Sequence, residues 1–165
     1  MHLMCGVKTH IVTSVEMSGA TAHDSPYYKT LVDQTAKAGF NMKEVSADKG
    51  YISMKNLQAT VDVGAVPFIA FKSNAKADRG TDIWSKMFFY YNFKREEFLA
   101  HYHKRSNVES VFQMIKSKFG ERLRSKTATA QVNEALTKVL AHNLCVVIQS
   151  MYELNITPEF VSEAA

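Results

Sequence analysis

Residues 40–71 constrain the fold more than any other part of the chain. Residues 40–47 are strand-like, and Ser53 can cap a helical pattern that ends near Gly64. The apolar run over residues 66–71 then predicts a second strand. A strand, a helix and a strand in this order predict a β-α-β unit with a parallel, right-handed crossover, and therefore an α/β fold.

The residues ahead of this unit predict two more strands and a helix. Residues 2–7 and 11–17 are short β-prone runs, which is typical of a hairpin or meander pair. Ser25 followed by Pro26 predicts a helix start, with Ser25 as the N-cap, and Gly39 predicts the end of that helix.

The C-terminal half predicts two long amphipathic helices, over about residues 96–118 and 131–154. Residues 72–95 lack a regular pattern and are interpreted as an insertion or connecting loop. We expect a single partial domain over residues 1–154 and a tail over residues 155–165. The side chains predicted to face inward are Val108, Phe112, Ile115 and Phe119 on the first helix and Val132, Leu136, Val139, Leu140, Leu144, Val147, Ile148 and Met151 on the second.

Composition limits the class of protein. A chain of 165 residues with 46% apolar residues can bury one core, and 20 Lys and Arg against 16 Asp and Glu give a net charge of +4 that favours anionic partners. Cys5 and Cys145 share no metal-ligand spacing, which predicts two reduced thiols. The first apolar run is short and interrupted, so we expect no signal peptide, no membrane span and a cytoplasmic location.

The most specific polar pattern lies near residue 105. On one continuous helix, Arg105, Glu109 and Lys116 would fall within about 60° of Tyr102, because each residue rotates the chain by about 100°. A carboxylate between two cations and a phenol can ligate a metal while its neighbours hold phosphate oxygens. From the residues alone, the same spacing is more typical of a solvated face with an Arg105–Glu109 ion pair.

A family resemblance favours the first interpretation. The spacing of Tyr102, Arg105, Glu109 and Lys116 (two, three and six residues between successive members) resembles the signature of the largest group of bacterial insertion-sequence DDE transposases. Residues 46–51, Ser-Ala-Asp-Lys-Gly-Tyr, look like the second-aspartate motif of the same family.

Two further segments resemble that family in the same order along the chain. Residues 22–26, Ala-His-Asp-Ser-Pro, are similar to the stretch after its third strand, and residues 141–144, Ala-His-Asn-Leu, are similar to its final helix. The resemblance covers nearly the whole chain and is weakest over residues 72–95.

The resemblance implies an RNase H-like fold, a mixed sheet with flanking helices, and two members of a carboxylate triad, Asp48 and Glu109. These would hold Mg²⁺, or Mn²⁺ in its place, for in-line attack by water and then by a 3′-hydroxyl on DNA phosphodiesters. Arg105 and Lys116 would hold phosphates, and Tyr102 would hydrogen-bond near the scissile strand. The implied partners are DNA, both transposon ends and target, and a homodimer in a synaptic complex, with nucleoid association when DNA is bound.

The sequence departs from the family at its start. The first catalytic aspartate of the family lies on a strand upstream of residues 2–7, so we expect a catalytic domain truncated at its N-terminal strand and inactive alone. Asp24 is the tempting substitute, but its place beside Ser25 at a helix start favours a capping role.

Two alternatives of other classes stay open. One is a non-catalytic remnant that binds nucleic acid through Arg105, Lys116 and nearby cations, and it predicts binding that Glu109→Ala leaves intact. The other is a helical interaction protein that uses the last helix, which burial of Leu140 and Leu144 would exclude. The nearby cations are Lys104, Lys118, Arg122 and Arg124.

Overall fold

The computed structural model describes residues 1–19, 23, 25–77 and 82–157, and it is an α/β fold, as the sequence predicts. Ala22 and Asp24, which belong to the segment 22–26 interpreted above, lie outside the described residues, as does most of the predicted tail. The elements are β1 His2–Cys5, β2 Val12–Glu16, α1 Tyr27–Lys37, β3 Glu44–Ala47, a 3₁₀ turn Lys49–Tyr51, α2 Met54–Asp62, β4 Val66–Ile69, α3 Asp82–Phe93, α4 Arg95–Tyr102, a 3₁₀ helix His103–Ser106, α5 Asn107–Phe119 and α6 Ala128–Glu153.

The strands form two separate pairs. β1 and β2 are antiparallel, with His2 opposite Glu16, which confirms the predicted hairpin pair. β3 and β4 are parallel, with Glu44 opposite Val66. Across the described residues no ladder joins one pair to the other. The mixed sheet that the family resemblance implies is therefore not continuous across the described residues.

The β-α-β unit is confirmed. The hydroxyl of Ser53 accepts a hydrogen bond from the backbone N–H of Asn56 at 3.1 Å, so Ser53 is the N-cap of α2, as predicted. Gly64 adopts a positive φ of 79°, which turns the chain from α2 into β4. Leu57 of α2 is fully buried against the parallel pair.

Helix α1 begins one residue later than expected. Pro26 rather than Ser25 is its N-cap residue, and no side chain caps it. Ser25 instead accepts a hydrogen bond from the side-chain amide of Asn56 at 3.1 Å, so its hydroxyl ties α1 to α2. The helix ends before Gly39, whose φ of +85° confirms that prediction.

Residues 82–93 form helix α3, so the interpretation of this part of residues 72–95 as a loop is wrong. Trp84 is only 6% exposed, and its ring meets that of Phe71 edge to face at a centroid distance of 4.9 Å. The helix was hard to recognise because its aromatic residues give it little amphipathic contrast. Burial of Trp84 and Met87 nonetheless makes α3 part of the core around Phe98.

The helix predicted over residues 96–118 is broken. The chain leaves α4 at Tyr102, passes through the 3₁₀ helix and enters α5 at Asn107. Within α5, Val111 and Ile115 are buried. Three residues predicted to face inward, Val108, Phe112 and Phe119, are partly buried against the same core cluster.

Helix α6 rests on the domain through a narrow face. Ala135, Val139 and His142 are its buried residues, so Val139 is confirmed as an inward residue. The prediction is wrong for Leu140 and Leu144, which are 60% and 55% exposed. The further exposed residues of this predicted set are Leu136, Val147 and Ile148. Burial of Leu140 and Leu144 would have excluded α6 as a surface that binds another protein, and neither residue is buried. Neither α6 nor any other helix among the described residues is long and apolar enough to cross a membrane.

Polar side chains attach α6 to β2. Asn143 accepts a hydrogen bond from the backbone N–H of Val12 and donates one to its carbonyl, each at 2.8 Å. The fully buried His142 lies 3.0 Å from the carbonyl of His10 through Nε2. Because the Asn143 amide satisfies both backbone groups of Val12, it does for β2 what a neighbouring strand would do.

Replacement of Asn143 by alanine is expected to lower the free energy of unfolding by about 1–3 kcal/mol, because it leaves two backbone groups of the buried Val12 without partners. Urea unfolding measures the change. Asn133→Ala, an exposed position on the same helix, is the matched control and should shift stability by less than about 0.5 kcal/mol. Equal losses in the two variants would contradict this role of Asn143.

Candidate catalytic and DNA-contacting site

A cleft separates the two strand pairs. Its volume is about 510 Å³. We call it the β1–β3 cleft, because β1 lines one side and β3 the other. The remaining walls come from α1, the 3₁₀ helix and α5. Its lining residues include His2, Leu3, Met4, Cys5, Tyr28, Leu31, Val45, Ala47, Asp48, Lys104, Arg105, Val108, Glu109 and Phe112.

Asp48 lies directly after β3, as the sequence predicts. Its carboxylate accepts a hydrogen bond from the backbone N–H of Lys49 at 2.6 Å and so caps the 3₁₀ turn that follows. The residue is exposed and lines the β1–β3 cleft. The end of a parallel strand thus delivers a solvent-accessible carboxylate to the cleft.

Glu109 lies in the first turn of α5 and lines the same cleft. Its side chain is 73% exposed and is 3.4 Å from a terminal nitrogen of Arg105. The N-terminal end of a helix favours a carboxylate there, because the helix dipole is positive at that end. The predicted Arg105–Glu109 ion pair is therefore present, but a contact of this length on the surface contributes little to stability.

Arg105 interacts electrostatically with both Asp48 and Glu109. Burial acts against its charge, but neighbouring Tyr102, Asp48 and Glu109 raise the pKa of Arg105 above its ordinary value. Its guanidinium carbon is 5.0 Å from the centroid of the Tyr102 ring. Its Nε is buried and has no hydrogen-bond acceptor among the described residues. Arg105 thus places a positive charge at the cleft, and its Nε–H is a donor without an acceptor among the described residues.

Tyr102 and Lys116 do not share the cleft with the other three predicted residues. Tyr102 is 8% exposed and belongs to the aromatic core. Lys116 is exposed, and its ammonium is 3.3 Å from the carboxylate of Glu121. Arg105 nonetheless contacts both Tyr102 and Glu109, although the 3₁₀ helix interrupts the single continuous helix that was expected.

A charged cluster at the cleft, which was not predicted from the sequence, is formed by Glu44, His101 and Lys104. Glu44 is 2.5 Å from both the ammonium of Lys104 and Nδ1 of His101. The ring of His101 stacks on that of Phe68 at a centroid distance of 4.3 Å. Burial raises the pKa of Glu44, but the hydrogen bonds and charges of Lys104 and His101 outweigh it and hold that pKa below its usual value. The only signal in the sequence was an acidic residue at a strand start.

Cys5 also lines the cleft as a free thiol. Burial raises its pKa to about 11, so the thiol stays protonated near neutral pH. Both cysteines are unpaired, which confirms the expected thiols. Among the described residues, no three His, Cys, Asp or Glu side chains lie together as a metal-ligand group.

Comparison with known families identifies the class of this protein. A model of the transposase DDE domain matches residues 1–144. The chain therefore belongs to the DDE transposase family, as its motifs had indicated. No curated protein and no solved structure matches it.

Proposed function

We propose that the open end of the β1–β3 cleft is where this domain cleaves DNA strands and transfers them. The observation that carries the proposal is that Asp48 and Glu109, from distant parts of the sequence, line one cleft together with Arg105, whose pKa both carboxylates raise. Family membership supports the reaction class. We assign residues 1–154 to one RNase H-like catalytic domain and residues 155–165 to a tail.

The carboxylates of Asp48 and Glu109 are chemically suited to bind a hard divalent cation. Both are exposed at the cleft, and carboxylate oxygens are the ligands that Mg²⁺ and Mn²⁺ prefer. Asp48 and Glu109 would hold the ion. When bound, such an ion activates the attacking oxygen and stabilises the leaving oxygen in phosphodiester cleavage and transfer.

The neighbouring residues of the chain would hold the DNA backbone. Arg105 carries a guanidinium that can grip two phosphate oxygens at once, and it stays charged at every physiological pH. Tyr102 packs under this guanidinium and would position it, since the ring itself is buried. Exposed Lys116 would add salt-dependent affinity further along α5 without reading bases.

The proposed partners follow from this chemistry. Transposon ends and target DNA would both cross the cleft mouth, and two copies would meet in a synaptic complex. We place the protein in the cytoplasm, associated with the nucleoid when it binds DNA.

Paramagnetic broadening by Mn²⁺ tests the site without any need for activity. Added Mn²⁺ is expected to broaden backbone amide signals near Asp48 and Glu109 together, because one ion would lie close to both. Mg²⁺ in excess should restore the signals. The double variant Asp48→Asn with Glu109→Gln should lose the effect, and Glu121→Gln, an exposed carboxylate beyond α5, is the matched control. Broadening that is unchanged in the double variant would contradict the proposed ligands.

One observation favours a second candidate, a domain that binds DNA without cutting it. Of the three carboxylates that line the cleft in the described part of the chain, Glu44 is paired with Lys104 and His101, which leaves Asp48 and Glu109 as candidate metal ligands, whereas the family mechanism uses three. Under this alternative, Glu109→Ala leaves DNA affinity unchanged and Arg105→Ala lowers it. The dependence of affinity on salt concentration should then become shallower by about one charge.

A further inference from the structure

We infer that Glu44 is a positioning residue of the candidate site. It attaches the 3₁₀ helix that carries Arg105 to strand β3, after which Asp48 lies, and so fixes the guanidinium of Arg105 in the β1–β3 cleft. The inference deepens the proposed function and rests on it in one respect, because it takes Arg105 as a contact of DNA phosphates. Glu44 lies outside the sequence motifs that indicated the site.

The first observation is the face of β3 that holds the helix. Side chains alternate between the two faces of a strand, and the backbone of Asp48 continues the extended conformation of β3, so Glu44, Ser46 and Asp48 share one face. The hydroxyl of Ser46 donates a hydrogen bond to the carbonyl of His101 at 2.9 Å. The strand face that leads to Asp48 is therefore the face to which the segment ahead of Arg105 is attached.

The second observation is that Glu44 uses both of its carboxylate oxygens in this attachment. One oxygen is 2.5 Å from the ammonium of Lys104, and the other is 2.5 Å from Nδ1 of His101. Residues three apart in a helix lie on the same side of it, so both donors reach Glu44 together. Because each oxygen already has a donor, Glu44 is suited to hold the helix rather than to bind a metal ion.

The third observation is that both neighbours of this attachment are themselves fixed. The ring of His101 stacks on that of Phe68 in β4, with an angle of 9° between the ring planes. The buried ring of Tyr102 packs under the guanidinium of Arg105. Glu44 thus connects Lys104 to a rigid part of the core, and without it Lys104 and the adjacent Arg105 would be free to reorient.

The orientation of Arg105 matters for the chemistry proposed here. A guanidinium binds two phosphate oxygens at once only when its plane faces them, since its donors form a fixed fork. Binding and catalytic groups that are held loosely by about 1 Å lose much of their effect. A residue that keeps Arg105 in place would therefore support DNA binding without contacting DNA.

Charge alone predicts the opposite effect for Glu44. Replacement of Glu44 by glutamine removes a negative charge from a cleft that is proposed to bind DNA, and it frees the ammonium of Lys104 for phosphates. Both changes would strengthen binding to a polyanion. A loss of DNA affinity in Glu44→Gln would therefore have the sign of positioning and not of charge. Glu121→Gln is the matched control, because Glu121 is an exposed carboxylate that is also paired with a lysine, Lys116.

The first experiment measures the affinity of the full 165-residue protein for a DNA duplex of mixed sequence. We expect Glu44→Gln to lower affinity by about tenfold, the effect of losing one hydrogen bond to a charged group, whereas Glu121→Gln should keep or raise it. Lys104→Gln and the double variant should both match Glu44→Gln, because partners in one interaction are not additive. Ser46→Ala changes no charge and should lower affinity by about threefold, which keeps the test open if Glu44→Gln fails to fold.

The second experiment follows Arg105 itself by NMR in the absence of DNA. The Nε–H of Arg105 is buried, so its exchange with water reports how often this part of the helix opens. The signal is assigned by its absence in Arg105→Lys. We expect exchange to be about tenfold faster in Glu44→Gln, faster in Ser46→Ala and unchanged in Glu121→Gln.

Three outcomes would overturn the inference. Affinity that rises in Glu44→Gln would mean that only its charge matters. A further loss in the double variant would mean that Lys104 contacts DNA itself. Unchanged exchange of the Arg105 Nε–H in both Glu44→Gln and Ser46→Ala would mean that β3 does not hold the residue. Unchanged affinity in Arg105→Ala counts against the proposed function alone, and faster exchange in Glu44→Gln would then still support the positioning of Arg105.

Discussion

Replacement of Phe98 by alanine is expected to lower the free energy of unfolding by about 3–5 kcal/mol, the range found when a large buried aromatic residue is removed. Phe98 has no exposed surface. Its ring meets those of Phe68, Tyr90 and Tyr91 at centroid distances of 5.3, 5.7 and 5.1 Å, mainly edge to face. Because these partners come from β4 and α3, the cavity would loosen the joint between the β-α-β unit and the helices.

Urea unfolding followed by circular dichroism measures this loss. Phe93→Ala is the matched control, since Phe93 is 81% exposed at the end of α3, and it should change stability by less than about 0.5 kcal/mol. A loss below about 1 kcal/mol for Phe98→Ala would mean that the aromatic cluster does not organise the core. For a domain whose total stability is about 5–15 kcal/mol, the expected loss is a large fraction of the whole.

Replacement of Glu109 by glutamine is expected to reduce Mg²⁺-dependent DNA cleavage by at least about 100-fold. Changes to groups that only support a metal ligand cost about 10–100-fold, so loss of a ligand should cost more. Asp48→Asn should have the same effect. DNA affinity should stay within about twofold for both variants, because neither carboxylate binds phosphate directly.

The comparison is made in a preparation that cleaves DNA, with cleavage rate and affinity measured on the same duplex. Asp62→Asn removes an exposed carboxylate at the end of α2, away from the cleft, and should leave both quantities unchanged. If cleavage and affinity fell in parallel for Glu109→Gln, the residue would act in DNA binding and not in catalysis.

The β-α-β unit could be predicted because its signals are local. Ser53 has a side chain that caps the next turn, and Gly64 supplies a positive φ, so each boundary follows from one residue's chemistry. Asp48 could be placed at a strand end for the same reason. That Asp48 and Glu109 line one cleft could not be derived from periodicity, and it was expected only because the chain resembles a family.

The helices were harder to predict because tertiary contacts determine which face they bury. In α6 the residues that hold the helix to β2 are polar, His142 and Asn143, while Leu140 and Leu144 face solvent. A rule that places leucines inward therefore selected the wrong face. The break after Tyr102 was also hidden, since no Gly or Pro marks it.

The paired cluster of Glu44, Lys104 and His101 shows a second limit of sequence analysis. Lys104 was interpreted as a free cation for nucleic acid, yet its ammonium is committed to Glu44. Partners that are far apart in the sequence and meet only through the fold leave no spacing to recognise. The same holds for the two strand pairs, because nothing in the pattern of residues 2–17 shows which strand lies beside them.

The most direct test of the catalytic assignment is Mg²⁺-dependent nicking of DNA that carries the ends of the transposable element. The assay uses a protein that contains this domain, with and without each substitution. We predict cleavage that is abolished by chelation of Mg²⁺ and by either Asp48→Ala or Glu109→Ala. If no cleavage occurs, or if cleavage survives both substitutions, Asp48 and Glu109 are not the catalytic carboxylates and a domain that only binds DNA becomes the better account.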